Sequence, residues 1–276
     1  MTAFPTVAPL SRLGAILLVA FMLAGYAAAP DPKDADAVAG YEEINDPAEP
    51  TNRAFFEINL ALDKVTLKPI AFAYKEYLPD FVQSSINSLL NNLRSPIIFF
   101  NNLLQGEFKR AGTTLLRFVI NSTIGIGGLH DQAAEWDLEY HNEDFGQTLA
   151  NWGMPEGPYV MLPILGPSNP RDAVGLVVDF LLDPLNLWLA NTNRDEFIFA
   201  RTSLRAVDQR ARHYDALQDL EESSLDFYAA IRSLYRQRRA DEINQGKGSA
   251  NMPALGLSKN SISPTAWDGD EASRDE

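Results

Sequence analysis

Asp46-Pro47-Ala48-Glu49-Pro50-Thr51-Asn52-Arg53-Ala54-Phe55-Phe56-Glu57-Ile58-Asn59-Leu60-Ala61-Leu62 is the stretch whose reading decides the fold. It begins with helix-start grammar: an N-cap carboxylate at Asp46, Pro47 at the first helical position and Glu49 at the third. Proline costs nothing there, because a first-turn N–H has no intrahelical acceptor to lose. The same grammar recurs at Ser95-Pro96, at Asn169-Pro170 followed by Asp172, and at Asp183-Pro184. Behind the first start, Phe55, Ile58, Leu62 and Val65 fall at three- and four-residue steps, so they line one helical face. Leu204, Val207, Ala211, Tyr214 and Leu217 do the same, as do Leu225, Tyr228, Ile231 and Leu234. Residues 80–94 and 107–121 fit shorter helices. Strand grammar is scarce, with no clean run of alternating β-branched residues between turn dipeptides. The chain therefore reads as all-α, with one multi-helix domain over residues 45–245.

Working outward, the middle of the chain carries short apolar runs broken by Pro, Gly and Asn. They are Ile97-Ile98-Phe99-Phe100, Tyr159-Val160-Met161-Leu162-Pro163-Ile164-Leu165, and residues 175–182 and 185–190. A segment apolar nearly all round is buried in something, either protein or lipid. Several such pieces, none long enough to span, suit interfacial or half-inserted elements and equally suit core helices.

The two ends read differently. Arg12 followed by an uncharged apolar stretch over 13–24 and then small residues has the form of a signal peptide, expected over 1–27. No later segment holds about 18 uninterrupted apolar residues, so no spanning helix is expected. Residues 28–44, rich in Ala, Asp and Pro, read as a flexible acidic tether, and 246–276 as a disordered tail. With 23 Lys+Arg against 37 Asp+Glu, the formal net charge of -14 excludes a nucleic-acid footprint. It also excludes loose electrostatic attachment to anionic lipid, so any hold on a membrane must be apolar. The 276 residues include no cysteine, which removes disulfides, thiolate metal sites and a cysteine nucleophile.

The search for catalytic chemistry is thin. His130, His141 and His213 have no metal-ligand spacing, and no G-x-S-x-G elbow occurs. His130-Asp131 and Glu143-Asp144 read as surface or structural groups ahead of an acid–base pair. Ser168 belongs to a helix-entry turn capped by Asn169. The cluster Gly125, Gly127, Gly128 lacks the strand and lysine of a phosphate loop and reads as a place of backbone freedom or close approach. Arg236-Gln237-Arg238-Arg239, at the end of the last expected helix, reads as charge complementing the helix dipole, with contact to lipid phosphate or an acidic partner as the alternative. No catalytic residue, metal site or cofactor is expected.

Many blocks in order carry a family resemblance. They run through Asn45-Asp46-Pro47, Glu49-Pro50-Thr51-Asn52-Arg53, Lys68-Pro69-Ile70-Ala71, Asn102-Leu103-Leu104-Gln105-Gly106 and Asn121-Ser122-Thr123-Ile124-Gly125. They continue through Gly127-Gly128-Leu129-His130-Asp131, Glu143-Asp144-Phe145-Gly146-Gln147-Thr148-Leu149, Gly157-Pro158-Tyr159 and Leu165-Gly166-Pro167-Ser168. Over roughly 41–245 the chain resembles the VacJ/MlaA family. The resemblance implies a doughnut-like helical body with a central amphipathic channel, lying in the inner leaflet of the outer membrane and facing the periplasm. It implies removal of mislocalised phospholipid from the outer leaflet and delivery to a soluble periplasmic carrier, alongside a trimeric porin. Asn101, Asn102, Asn151 and Arg171 are the polar positions expected near lipid head groups in that channel. Gly125, Gly127 and Gly128 are expected to form a hinge or a thin part of its wall.

The departure from the family is at Leu23-Ala24-Gly25-Tyr26: tyrosine stands where the family's lipobox has its acylated cysteine. A phenol is not acylated by that route, so attachment through apolar helix surface is expected instead. A structural envelope adaptor that binds porins, or a soluble periplasmic lipid-binding module, are the alternative functions.

Overall fold

The computed structural model describes residues 44–245. The expected signal peptide over 1–27 with Tyr26, the tether 28–44 except Ile44, and the tail 246–276 lie outside the described residues. Helix α1 (Glu49–Leu62) passes through a π-helical turn (Asp63–Leu67) into α2 (Lys68–Tyr77). Long α3 (Asp80–Leu104) and α4 (Phe108–Thr123) pack side by side, joined by a tight turn at Gly106, and a single turn α5 (Gln132–Glu135) and α6 (Phe145–Asn151) follow. Strands β1 (Val160–Leu162) and β2 (Gly166–Ser168) form an antiparallel hairpin with Met161 opposite Pro167. The chain closes with α7 (Pro170–Leu182), α8 (Pro184–Asn191), α9 (Asp195–Arg212), α10 (Tyr214–Ser223) and α11 (Phe227–Ile243).

The apolar core is small and split. Phe56, Tyr159, Met161 and Tyr228 tie α1, the hairpin and α11 together, with Phe56 edge-on to Phe227 and Tyr228 at 5.5 Å each. Ala71, Tyr74 and Ala211 join α2 to α9. A third contact needs no large side chain. Gly146 on α6 lies against Gly175 on α7 so closely that a Cβ on Gly175 would collide with the Gly146 backbone. Two glycines let these helices approach to backbone contact.

Two of the expected helix starts hold as read. Asn169 accepts from the Asp172 N–H at 2.8 Å to cap α7, and Asp183 accepts from the Leu185 N–H at 2.9 Å to cap α8. Two differ. Asp46 caps nothing with its side chain. Its buried carboxylate instead accepts from Asn52 Nδ2 (2.7 Å), Tyr228 OH (2.5 Å) and Arg232 (2.7 Å), and α1 begins at Glu49. A charged, buried partner outcompeted an exposed cap because desolvated ion pairs gain more from each hydrogen bond. Ser95-Pro96 starts no helix: α3 runs through it to Leu104, so residues 80–104 form one element rather than a short one ending at 94. Packing along the whole of α3 outweighs the hydrogen bond that proline cannot make.

The apolar run 159–165 forms β1 and its turn instead of an interfacial helix. Asn52 explains this: its Oδ1 accepts from the Met161 N–H at 2.9 Å and its Nδ2 donates to the Tyr159 C=O at 3.0 Å. Those backbone groups are satisfied from the side in extended form. The stripe from Leu204 to Leu217 is divided between α9 and α10 by a break at His213, and Leu225 lies fully exposed before α11.

Candidate functional site

Helices α4 and α7 are turned inside out relative to those of a water-soluble bundle. On α4, Leu115, Leu116 and Val119 are exposed while Thr114, Arg117 and Asn121 are buried. On α7, Val174, Leu176, Val177, Phe180, Leu181 and Leu182 are exposed while Arg171 and Gly175 are buried. On α8, Leu187 and Trp188 face out and Asn186 faces in. The stripe Ile58, Leu62, Val65 is also outward, with Val65 78% exposed, and Asn52 and Phe56 are the residues α1 buries. In water this arrangement forfeits the apolar burial that drives folding. Contiguous apolar surface of this extent marks a membrane or partner interface. Among the described residues no single helix is long and apolar enough to cross a bilayer; α7 and α8 reach that length only together, bent by 50° at Asp183.

The interior these faces enclose is polar. Asn101 Nδ2 donates to Asp179 Oδ1 at 2.9 Å and to the Ile97 C=O at 3.1 Å, and its Oδ1 accepts from Thr148 Oγ1 at 2.8 Å. Asn102 reaches the Ile98 C=O at 2.9 Å and lies 3.2 Å from His141 Nε2. Gln105 donates to Glu143 at 3.0 Å, and Arg110 pairs with Glu143 at 2.7 Å. Burial pushes the Glu143 carboxyl up from its ordinary range, against the pull of Gln105 and Arg110. Arg117 holds Asp131 at 2.6 Å and the Leu138 C=O, and Asn121 donates to Asp131 at 2.8 Å. Asn101, Asn102, Gln105 and Asn121 are each tied to another segment of the chain, which is the bonding an apolar surrounding demands.

The expected channel positions divide. Asn101 and Asn102 are 1% and 0% exposed and sit inside this network, where they join α3 to α4, α6 and α7. Asn151 is exposed at the end of α6, its Nδ2 donating to the Gln105 C=O at 3.2 Å. Arg171 is buried at the start of α7, with Nε 3.1 Å from Asp172, Nη1 3.5 Å from the Met154 C=O, and Nη2 without a partner. The structure brings Asn101, Asn102 and Asn151 to one end of α3, while Arg171 stands in the first turn of α7 beside Met154. The Gly125–Gly128 turn is bonded at several points. Gly128 donates to the Asn121 C=O at 2.8 Å and His130 to the Gly125 C=O at 3.0 Å. Gly127 and Gly128 have φ of 70° and 95°, a left-handed backbone that glycine adopts without strain.

Sequence reasoning missed the knot around Arg239. Arg239 bonds both oxygens of Asp144 at 2.7 Å each and both of Asp172 at 2.8 and 2.9 Å. The basic run at 236–239 flagged it, but α11 extends to Ile243, and its arginines find carboxylates instead of terminal carbonyls. Burial alone would push Asp144 up; Arg239 overrides it and brings the carboxyl down to about 2. The histidines do modest work. His130 Nε2 meets Glu135 at 3.0 Å on the surface, and Ser168 Oγ donates to the Asn169 C=O. Among the described residues no group of His, Asp or Glu is arranged to hold a metal ion.

Among the described residues, a mostly helical body with apolar helix faces outward and a hydrogen-bonded polar interior defines the class: a protein with a large apolar surface made for a membrane or a partner. The chain belongs to the MlaA lipoprotein family, whose model matches residues 44–242. It is similar to the intermembrane phospholipid transport system lipoprotein MlaA of Haemophilus influenzae, 33% identical over 84% of this chain and 90% of that protein. The MlaA of Escherichia coli K12 is 30% identical over 74% of this chain and 80% of its own length. An uncharacterized Rickettsia conorii protein is 36% identical over 73% and 79%. A solved structure described as the structural basis for maintenance of bacterial outer membrane lipid asymmetry superposes with a TM-score of 0.62. It is 32% identical, and the match covers 72% of this chain and 99% of that one.

Proposed function

We propose that this protein removes mislocalised phospholipid from the outer leaflet of the bacterial outer membrane and passes it to a soluble periplasmic carrier, keeping that membrane asymmetric. The observation that carries the reading is the inverted polarity of α4 and α7: leucine, valine and phenylalanine outward, arginine and asparagine inward. Such a body sits in one leaflet, on the periplasmic side, with a polar route for head groups through an apolar shell. Asn101, Asn102, Asn151 and Arg171 are the expected positions along that route, and the Gly125–Gly128 turn its hinge or a thin part of its wall. The energy source sits in the inner membrane, reached through the carrier, with a trimeric porin as the expected neighbour, so this component requires no catalytic group. Its relatives among intermembrane phospholipid transport proteins support the reading.

The test is deletion and rescue in the source bacterium, scoring phospholipid exposed at the cell surface and sensitivity to detergent. Rescue by the Tyr26 form is the expected result, with attachment supplied by the apolar faces. Rescue only by Tyr26→Cys would keep the function and overturn attachment without acylation. Failure of both would favour the porin-binding adaptor.

A further inference from the structure

Three arginines converge where α3, α8 and α9 meet, and their charges are not matched. Arg201 and Arg205 stand one turn apart on α9, so they share a face. Arg205 Nη1 reaches the Leu90 C=O and Nη2 reaches Asn91 Oδ1, both at 3.3 Å and both neutral. Arg94 lies one turn beyond Leu90 on the same side of α3, close enough that its charge acts on Arg205 and on Asp179. Among the described residues Arg94 makes no hydrogen bond or ion pair. Arg201 pairs through Nη2 with Asp183 and donates to Asn186 at 2.9 Å, while its buried Nη1 has no partner. Of the carboxylates nearby, Asp183 is held by Arg201, and Asp179 accepts from Asn101 and from the Phe145 N–H at 2.9 Å each. The Tyr140 hydroxyl is the remaining polar neighbour of Arg205. Three guanidinium charges thus face two carboxylates, inside a chain whose net charge is -14. Burial first, and the Arg94 charge second, bring Arg205 down to about 10. Like charges held together in a half-buried niche are costly unless an anion joins them.

We infer that Arg94, Arg201 and Arg205 form a binding site for one phosphate monoanion, the phosphodiester of a phospholipid head group. The proposal rests on the phospholipid-transport reading and names where the head group is held. Guanidinium suits it: the planar fork donates two hydrogen bonds to a phosphate, and Arg94 and Arg201 have donors to spare. The exposed Leu187 and Trp188 of neighbouring α8 give the acyl chains an apolar surface beside the niche.

The test uses the full-length protein in detergent micelles, with dibrominated phosphatidylglycerol binding read as quenching of tryptophan fluorescence. Brominated diacylglycerol with the same chains reports binding without a phosphate. Arg94→Gln and Arg205→Gln are expected to weaken phosphatidylglycerol binding about tenfold or more and to leave diacylglycerol unchanged. Arg205→Lys, which keeps the charge, is expected to keep most of the affinity. Millimolar inorganic phosphate is expected to leave the lipid bound. Unchanged phosphatidylglycerol binding in both Gln variants would overturn the inference. So would equal loss of both lipids in all three variants, which is a packing effect, and so would displacement by inorganic phosphate, which would assign the niche to a free anion. A wild-type chain that binds the lipid but fails to rescue the deletion strain would overturn the transport reading alone.

Discussion

Arg239 on α11 grips Asp144, the cap of α6, through both terminal nitrogens, Nη1 to Oδ2 and Nη2 to Oδ1, each at 2.7 Å. The same guanidinium holds Asp172 on α7, which also accepts from Tyr235 OH at 2.7 Å. One cation therefore fastens the last helix to both members of the glycine-mediated α6–α7 contact. Arg239→Met would leave largely buried Asp144 without a cation and Asp172 with Arg171 alone, at a cost on the order of 3–5 kcal/mol. Chemical denaturation in mild detergent measures it; a loss below about 1 kcal/mol would mean that water replaces the arginine.

The same pair sets a pH window. The folded Asp144 carboxyl is near 2, below its unfolded value of about 3.9, so its contribution is fully present above about pH 5. It is lost as pH falls through 4 toward about 2, and Asp172, lowered by the same arginine against its own burial, follows. The loss is on the order of 2 kcal/mol for Asp144. Glu143, raised by burial, works in the opposite sense, so the profile is best read with Glu143→Gln as the background. Arg239→Met should flatten the decline below pH 4.

Gly175→Ala puts a methyl into the Gly146 backbone and should cost about 1–3 kcal/mol or more, with the loss appearing as separation of α6 from α7. Gly112→Ala, with nothing within 4 Å of the added carbon, should stabilise α4 by about 0.5–1 kcal/mol. Opposite signs from one chemical change would show packing, rather than helix propensity, at work in the first case. Thermal melts of the two variants suffice.

Val177→Asp with Leu181→Asp alters two exposed residues on α7. If α7 lies against lipid, each loses about 1.5 kcal/mol or more of apolar transfer, so membrane partition should fall about a hundredfold. Helical content in detergent should be unchanged. Fractionation of cell envelopes reads the partition, and a doubly substituted chain that stays in the membrane fraction would place the contact on another face.

Asn52→Ala removes the side chain that holds Tyr159 and Met161 in extended form. It orphans a buried N–H and a buried C=O, at about 1–3 kcal/mol each. The Met161 amide should exchange hydrogen far faster while amides in α3 keep their protection. Uniform loss of protection would show that the hairpin is not a separate unit.

Much of this was legible along the chain. Asn169 and Asp183 cap the helices they precede, because a cap is a contact within three residues and local sequence specifies it. The all-helical class and the family blocks were equally local in kind. Asp46 was misread because its partners, Tyr228 and Arg232, lie far along the chain. Pro96 was misread because the contacts that carry α3 through it are tertiary. Arg239 was marked only as one charge in a run, and Arg94 and Arg205 carried no mark at all, since nothing in spacing says which guanidinium will lack a carboxylate.

The sequence by itself determined that the chain is helical, where α7 and α8 begin, and that several helices carry one apolar and one polar face. A period of 3.6 residues states that two faces exist; it says nothing of what stands opposite either one. Only the tertiary structure decided that Thr114, Arg117 and Asn121 turn inward while Leu115, Leu116 and Val119 turn out. The physical reason is that the direction of a face is set by its neighbours. Here the inward neighbours are Asp131, which meets Arg117 and Asn121, and His141, which meets Thr114, and only the packing of the following segment brings them within reach.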